Sequence, residues 1–87
     1  KNSNIYFFRD NIGNEVDILL EDGASVKPIE IKLGSTINDD YFKGLRYYQK
    51  INKKSAIRPA LIYGGNEDQR RGAFDIFSYR NVEKINL

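Results

Sequence analysis

The sequence predicts an α/β fold: a small mixed β-sheet of about five strands with one helix crossover. Three observations carry this. Residues 15–21 and 26–33 alternate charged and apolar side chains on either side of an Asp-Gly turn, the pattern of a half-buried hairpin. Residues 40–52 place Tyr41, Leu45 and Tyr48 at helical spacing, with Phe42 beside them. A short apolar run, Ala60 to Tyr63, follows, and a strand–helix–strand unit joins parallel strands.

In chain order, Ile5-Tyr6-Phe7-Phe8 is an aromatic-rich strand closed by Asn11-Ile12-Gly13-Asn14. Glu15 to Glu21 is a second strand, with Val16, Ile18 and Leu20 expected on one face and Glu15, Asp17 and Leu19 on the other. Val26 to Leu33 is a third, with Ile29, Ile31 and Leu33 together. Gly34-Ser35-Thr36 breaks the pattern, and Asn38-Asp39-Asp40 supplies a cap and negative charge at a helix start. Gly44 inside that helix costs about 1 kcal/mol relative to Ala, which a close approach to the sheet or to another chain would explain. Arg58-Pro59 ends the connection, and Gly64-Gly65 stops the fourth strand. No Gly-Lys-Ser/Thr follows those glycines, so they read as a turn and not as a phosphate loop. Asn66 to Gly72 is polar and loop-like, Phe74 to Phe77 is a last strand, and the tail from Ser78 has no clear pattern.

The hairpin decides which charges meet. With Gly23-Ala24 as the loop, Asp17 lies opposite Glu30 and Glu15 opposite Lys32; with Asp22-Gly23 as the loop, Glu15 faces Glu30. In both registers all four groups share one sheet face; a three-residue loop would split them.

Composition narrows what they can do. The chain has 87 residues, enough for one domain, 1–87, with a thin core. With no cysteine and no histidine there is neither a disulfide framework, nor a thiolate or imidazole metal site, nor the usual general base. A metal here would take oxygen ligands, which suits magnesium, manganese or calcium. No apolar run spans a membrane, no secretory signal is visible, and the lack of cysteine is compatible with a cytoplasmic home. The start at Lys1 and the absence of methionine point to a piece of a longer protein. The net charge is +2, but residues 1–40 hold eight acidic and four basic groups. Residues 41–66 hold six basic groups (Lys43, Arg46, Lys50, Lys53, Lys54, Arg58) and no acidic one. A basic helix beside an acidic sheet can guide a phosphate-bearing partner, with Lys43, Arg46 and Lys50 as contacts; a solvated helix face is the plainer explanation.

Phosphodiester hydrolysis needs carboxylates to hold a metal, a metal to activate water, and a cation near the developing charge. Asp17, Glu30 and the backbone carbonyl of Ile31 can supply the ligands, Lys32 can orient the water or take its proton, and Glu15 can join the ligands or pair with Lys32. The competing structural explanation is a Glu15–Lys32 cross-strand salt bridge, with Asp17 and Glu30 in solvent, contributing about 0.2–1 kcal/mol.

Asp17, a hairpin, Glu30-Ile31-Lys32, a helix and a further strand together resemble the PD-(D/E)XK nuclease superfamily. The runs Tyr6-Phe7-Phe8-Arg9-Asp10, Gly13-Asn14-Glu15-Val16-Asp17, Pro28-Ile29-Glu30-Ile31-Lys32, Phe42-Lys43-Gly44-Leu45 and Leu61-Ile62-Tyr63-Gly64-Gly65 resemble one group more closely. This is the nuclease-like domain of unknown function at the C-terminus of certain bacterial and archaeal AAA+-type ATPases. The resemblance implies that Asp17 and Glu30 are metal ligands, that Lys32 is the catalytic lysine, and that the cofactor is Mg²⁺ or Mn²⁺. It also implies nucleic acid and the upstream ATPase domain as partners. Val16 stands where the superfamily name puts proline, and the superfamily's first helix either lies before this chain or is lacking from this domain. A module that keeps the fold but only binds nucleic acid or the ATPase part is the second reading; a structural domain forming a homodimer through a sheet edge is the third.

Overall fold

The structure, a computed structural model, describes residues 4–52 and 57–85. Lys53 and Lys54 of the basic run lie outside the described residues. Six strands form one mixed sheet: β1 (Asn4–Arg9), β2 (Glu15–Asp22), β3 (Ser25–Lys32), β4 (Ala60–Tyr63), β5 (Gln69–Arg71) and β6 (Phe74–Ser78), in the order β1-β2-β3-β4-β6-β5. One helix, α1 (Lys43–Ile51), crosses between β3 and β4, and those strands run parallel as the crossover rule requires.

The hairpin chooses the first of the two registers. Asp22 pairs with Ser25, which leaves Gly23-Ala24 as the loop, and Gly23 takes φ 63°, a conformation only glycine adopts freely. The predicted faces of β2 are wrong at its start. Val16 packs with α1 in one core cluster, whereas Ile18 and Leu20 pack on the opposite face with Ile29, Ala60 and Ile62. The cause is an irregularity in the β1–β2 ladder: Tyr6 pairs with Leu19, but Phe8 pairs with Val16, so β2 carries one extra residue there. A bulge of this kind rotates every side chain before it to the other face.

The helix start is as the sequence indicates. The Asn38 side chain accepts from the Asp40 N–H, a short 3-10 turn (Asp39–Phe42) follows, and α1 continues from Lys43. Phe42, Leu45 and Tyr48 are buried against the sheet. The Phe42 ring meets Phe74 at 4.8 Å, and Tyr48 meets Phe8 edge-on at 5.3 Å.

The polar run 66–72, expected as loop, contains β5, so the sheet has six strands and not five. This strand is three residues long, fully exposed, and turns into β6 through Gly72 at φ 53°. With no buried side chain it carries no apolar alternation, so only its backbone pairing identifies it. The tail forms a 3-10 segment (Tyr79–Lys84) that brings Ile85 onto the face of the sheet opposite α1. No helix among the described residues is long and apolar enough to cross a membrane.

Candidate functional site

The β2–β3 backbone pairing reaches Ile18–Ile29, and beyond it side chains bridge the two strands. The Asp17 N–H donates to Glu30 Oε1 at 3.1 Å, and the Ile31 N–H donates to Asp17 Oδ2 at 2.9 Å. Each carboxylate thus takes a backbone donor from the facing strand. A residue's N–H and C=O point the same way in a strand, so the Ile31 carbonyl also faces β2. Lys32 Nζ lies 3.3 Å from Glu30 Oε2. Asp17, Glu30, Ile31 and Lys32 therefore meet at the open end of the hairpin, at the C-terminal end of β3.

Glu30 is the unusual member. It is only 4% exposed, while Asp17 is exposed. Burial, reinforced by the charge of Asp17, raises the Glu30 carboxyl above the ordinary range; the Asp17 N–H and Lys32 pull it back only in part. A carboxyl raised in the folded state keeps its proton to higher pH than in the unfolded chain, where glutamate titrates near about 4.3. The folded state binds the extra proton between these two values, so Glu30 should cost stability as pH rises through that window. Urea unfolding midpoints of Glu30→Gln should fall less steeply with pH there than those of the parent; identical slopes would contradict the assignment.

Helix α1 closes one side of the site. A Cβ on Gly44 would collide with the Glu15 carbonyl oxygen and would sit 3.8 Å from Glu30 Oε2. A hollow of about 130 Å³ results, lined by Glu15, Glu30, Lys32, Asp40, Lys43 and Gly44 among others. Asp17 instead borders the adjoining groove with Phe7, Phe8 and Arg9.

Glu15 takes neither role expected of it. It pairs with Arg9, its neighbour across β1, at 3.6 Å, because the β1–β2 register sets the two opposite each other. Among the described residues no three acidic side chains gather as a metal cluster. The oxygens on offer at the end of the hairpin are the carboxylates of Glu30, in the hollow, and of Asp17, on the neighbouring groove, with the Ile31 carbonyl, all hard donors. That set fits Mg²⁺, which keeps several waters and is commonly held by one or two carboxylates.

The three basic residues of α1 are exposed but differ in their surroundings. Lys43 borders the hollow. Arg46 is engaged by Asp39 at 2.8 Å and lies 5.5 Å from the Phe42 ring centroid. Lys50 stands in the last turn of α1. A second charged cluster, around Lys27 and Asp75 on the opposite sheet face, was not among the residues singled out from the sequence. Its signal was available: Lys27 falls in phase with Ile29, on the strand's apolar side.

Neither a curated protein nor a solved structure matches the chain significantly. One family profile, described as a domain of unknown function (DUF4143), matches residues 1–82. Covering nearly the whole chain, including the hairpin, α1 and the three parallel strands β3, β4 and β6, that match means that the chain belongs to the DUF4143 family.

Proposed function

We propose that this domain is a nuclease-like module that hydrolyses phosphodiester bonds of nucleic acid with Mg²⁺ or Mn²⁺, on a PD-(D/E)XK-type core. The observation that carries the proposal is the mutual locking of Asp17 and Glu30 through each other's strand, with Lys32 3.3 Å from Glu30. Asp17 and Glu30, with the Ile31 carbonyl, would hold the metal. The bound cation would supply Lewis-acid stabilisation and a more acidic water. Lys32 positions that water and stabilises negative charge on the phosphate, and Lys43 receives the nucleic-acid backbone at the rim. The buried Glu30 has a reason to be there on this proposal, since a divalent cation offsets the cost of its charge. The same resemblance makes an ATPase domain of a longer cytoplasmic protein the natural partner.

The test uses the full-length protein with Mg²⁺ or Mn²⁺ on duplex DNA, single-stranded DNA and RNA. Cleavage of at least one substrate is expected, with Lys32→Ala and Asp17→Asn reducing it by roughly 10²–10⁴-fold while circular dichroism stays unchanged. No cleavage by the well-folded parent, or full activity in Asp17→Asn, overturns it. A second reading, a non-catalytic binding module, is favoured by the lack of a third acidic group beside Asp17 and Glu30 among the described residues. It expects no cleavage, and a weaker salt dependence of nucleic-acid binding when Lys43 and Lys50 are reversed to Glu.

A further inference from the structure

We propose that the sheet face opposite α1 holds a second site, which binds a phosphate or other phosphoryl oxyanion through Lys27, Arg70 and Lys84. The register builds it. Ile29 pairs with Ala60, so Lys27 lies level with Arg58; Ala60 pairs with Asp75, and Asp75 with Arg70. Asp75 and Arg70 thus lie level with Ala60 and Ile29, and Lys27 and Arg58 two residues before them, so the four charged side chains form one cluster, joined by the contacts of Arg58 with Lys27 and Asp75.

The cluster has more positive charge than Asp75 can balance. One oxygen, Asp75 Oδ1, takes Arg58 Nε at 2.5 Å and Arg70 Nε at 3.3 Å. Arg58 is otherwise used within the fold, donating to the carbonyls of Gly72 and Phe74 at 2.8 and 3.1 Å. Lys27 is 3% exposed. Its ammonium has one acceptor among the described residues, the Arg58 carbonyl at 2.8 Å, against three donor protons. Lys84 reaches Asp68 only at 3.7 Å. With Arg58 held inside the fold, Lys27, Arg70 and Lys84 face Asp75 and Asp68 at the concavity, three cations against two carboxylates, a net charge of +1. Burial, helped by Arg58 and opposed by Asp75, pulls the Lys27 ammonium below its ordinary value, the mark of an undercompensated charge.

The cluster faces open space. Lys27, Asp68, Arg70, Asp75, Phe77 and Lys84 border a concavity of about 390 Å³. That is the lower end of the size of small-ligand pockets, about 300–1,000 Å³. A tetrahedral oxyanion there accepts the spare ammonium protons of Lys27 and a guanidinium N–H of Arg70, charge-assisted bonds of the stronger kind. The remaining volume admits an organic group bearing the phosphate, beside the Phe77 ring.

The experiment titrates inorganic phosphate into the full-length protein at constant ionic strength, with chloride as control. Calorimetry and the amide resonances of Lys27, Arg70 and Lys84 are followed. Saturable phosphate binding that moves those three resonances is expected. Arg70→Gln should weaken it by roughly tenfold and Lys27→Met should abolish it. If Lys27→Met does not fold, Arg70→Gln and Lys84→Gln carry the test. A short DNA duplex that moves the same resonances and displaces phosphate identifies a backbone phosphodiester as the source. Phosphate binding without such displacement identifies a free phosphorylated ligand. Absence of binding above the chloride control, or binding unchanged in the Arg70 and Lys84 variants, overturns the proposal. The Asp17 and Lys32 variants leave this binding intact, so it stands apart from cleavage at the hairpin site.

Discussion

Leu45→Ala is expected to remove about 2–5 kcal/mol of folding stability. Leu45 has no exposed surface and sits where α1 meets the sheet, packed in the cluster of Val16, Phe42, Tyr48, Leu61 and Ile76. The truncation loses both the transfer energy of the removed carbons and the contacts around the hole they leave. A domain of this length has a total stability of about 4–13 kcal/mol, so the loss is a large share of the whole. The melting temperature should fall by tens of degrees, since about 1 kcal/mol moves a domain of this size by about 4–8 °C. Leu33→Ala is the control, because Leu33 is 90% exposed and its truncation should stay within about 0.5 kcal/mol. Equal melting temperatures for the two variants would show that α1 does not pack as described.

Gly44→Ala is expected to destabilise the domain although alanine is the better helix former. Intrinsic propensity favours alanine by about 1 kcal/mol. Against that, the new methyl group runs into the backbone carbonyl of Glu15, which has no rotamer to turn away. Overpacking of this kind costs about 1–3 kcal/mol, and rigid backbone places it at the upper end. The net loss should be about 1–2 kcal/mol, read as a lower melting temperature, whereas Lys50→Ala on the exposed side of α1 should be neutral or slightly stabilising. A second readout separates collision from simple loss of stability. Moving α1 outward opens the hollow that Glu30, Lys32 and Lys43 share, so any Mg²⁺-dependent rise in melting temperature should shrink as well. A Gly44→Ala protein as stable as the parent would mean that α1 can slide over β2 at no cost.

Some of the architecture was legible in the residues and some was not. The hairpin was, because an Asp-Gly pair marks its turn; its register was not, because Gly23 sits in the loop of both alternatives, and only the Asp22–Ser25 pairing selects the one with Asp17 opposite Glu30. The helix was, because Phe42, Leu45 and Tyr48 keep a helical period beside an Asn38 cap. The contact behind Gly44 was legible as a question and answered by the Glu15 backbone. The strand β5 was not, because an exposed edge strand pairs through its backbone and leaves no side-chain pattern. The face of Val16 was not, because alternation assumes an unbroken ladder and the bulge opposite Phe7 breaks it. Glu15 followed the same fault, turning to Arg9 and away from Lys32.

By itself the sequence determined the class of fold, the placing of Asp17, Glu30 and Lys32 on one hairpin, and the restriction to oxygen ligands. All three follow from local rules: period, turn conformation and residue chemistry. Only the tertiary structure decided which hairpin register brings Asp17 to Glu30, that Glu30 is buried while Asp17 stays at the surface, that the Glu15 side chain leaves the group, and that Lys27 joins Arg58, Asp75 and Arg70 in one cluster. Those depend on a ladder irregularity, on the approach of α1 through Gly44, and on strands far apart in sequence coming side by side, none of which a local pattern encodes.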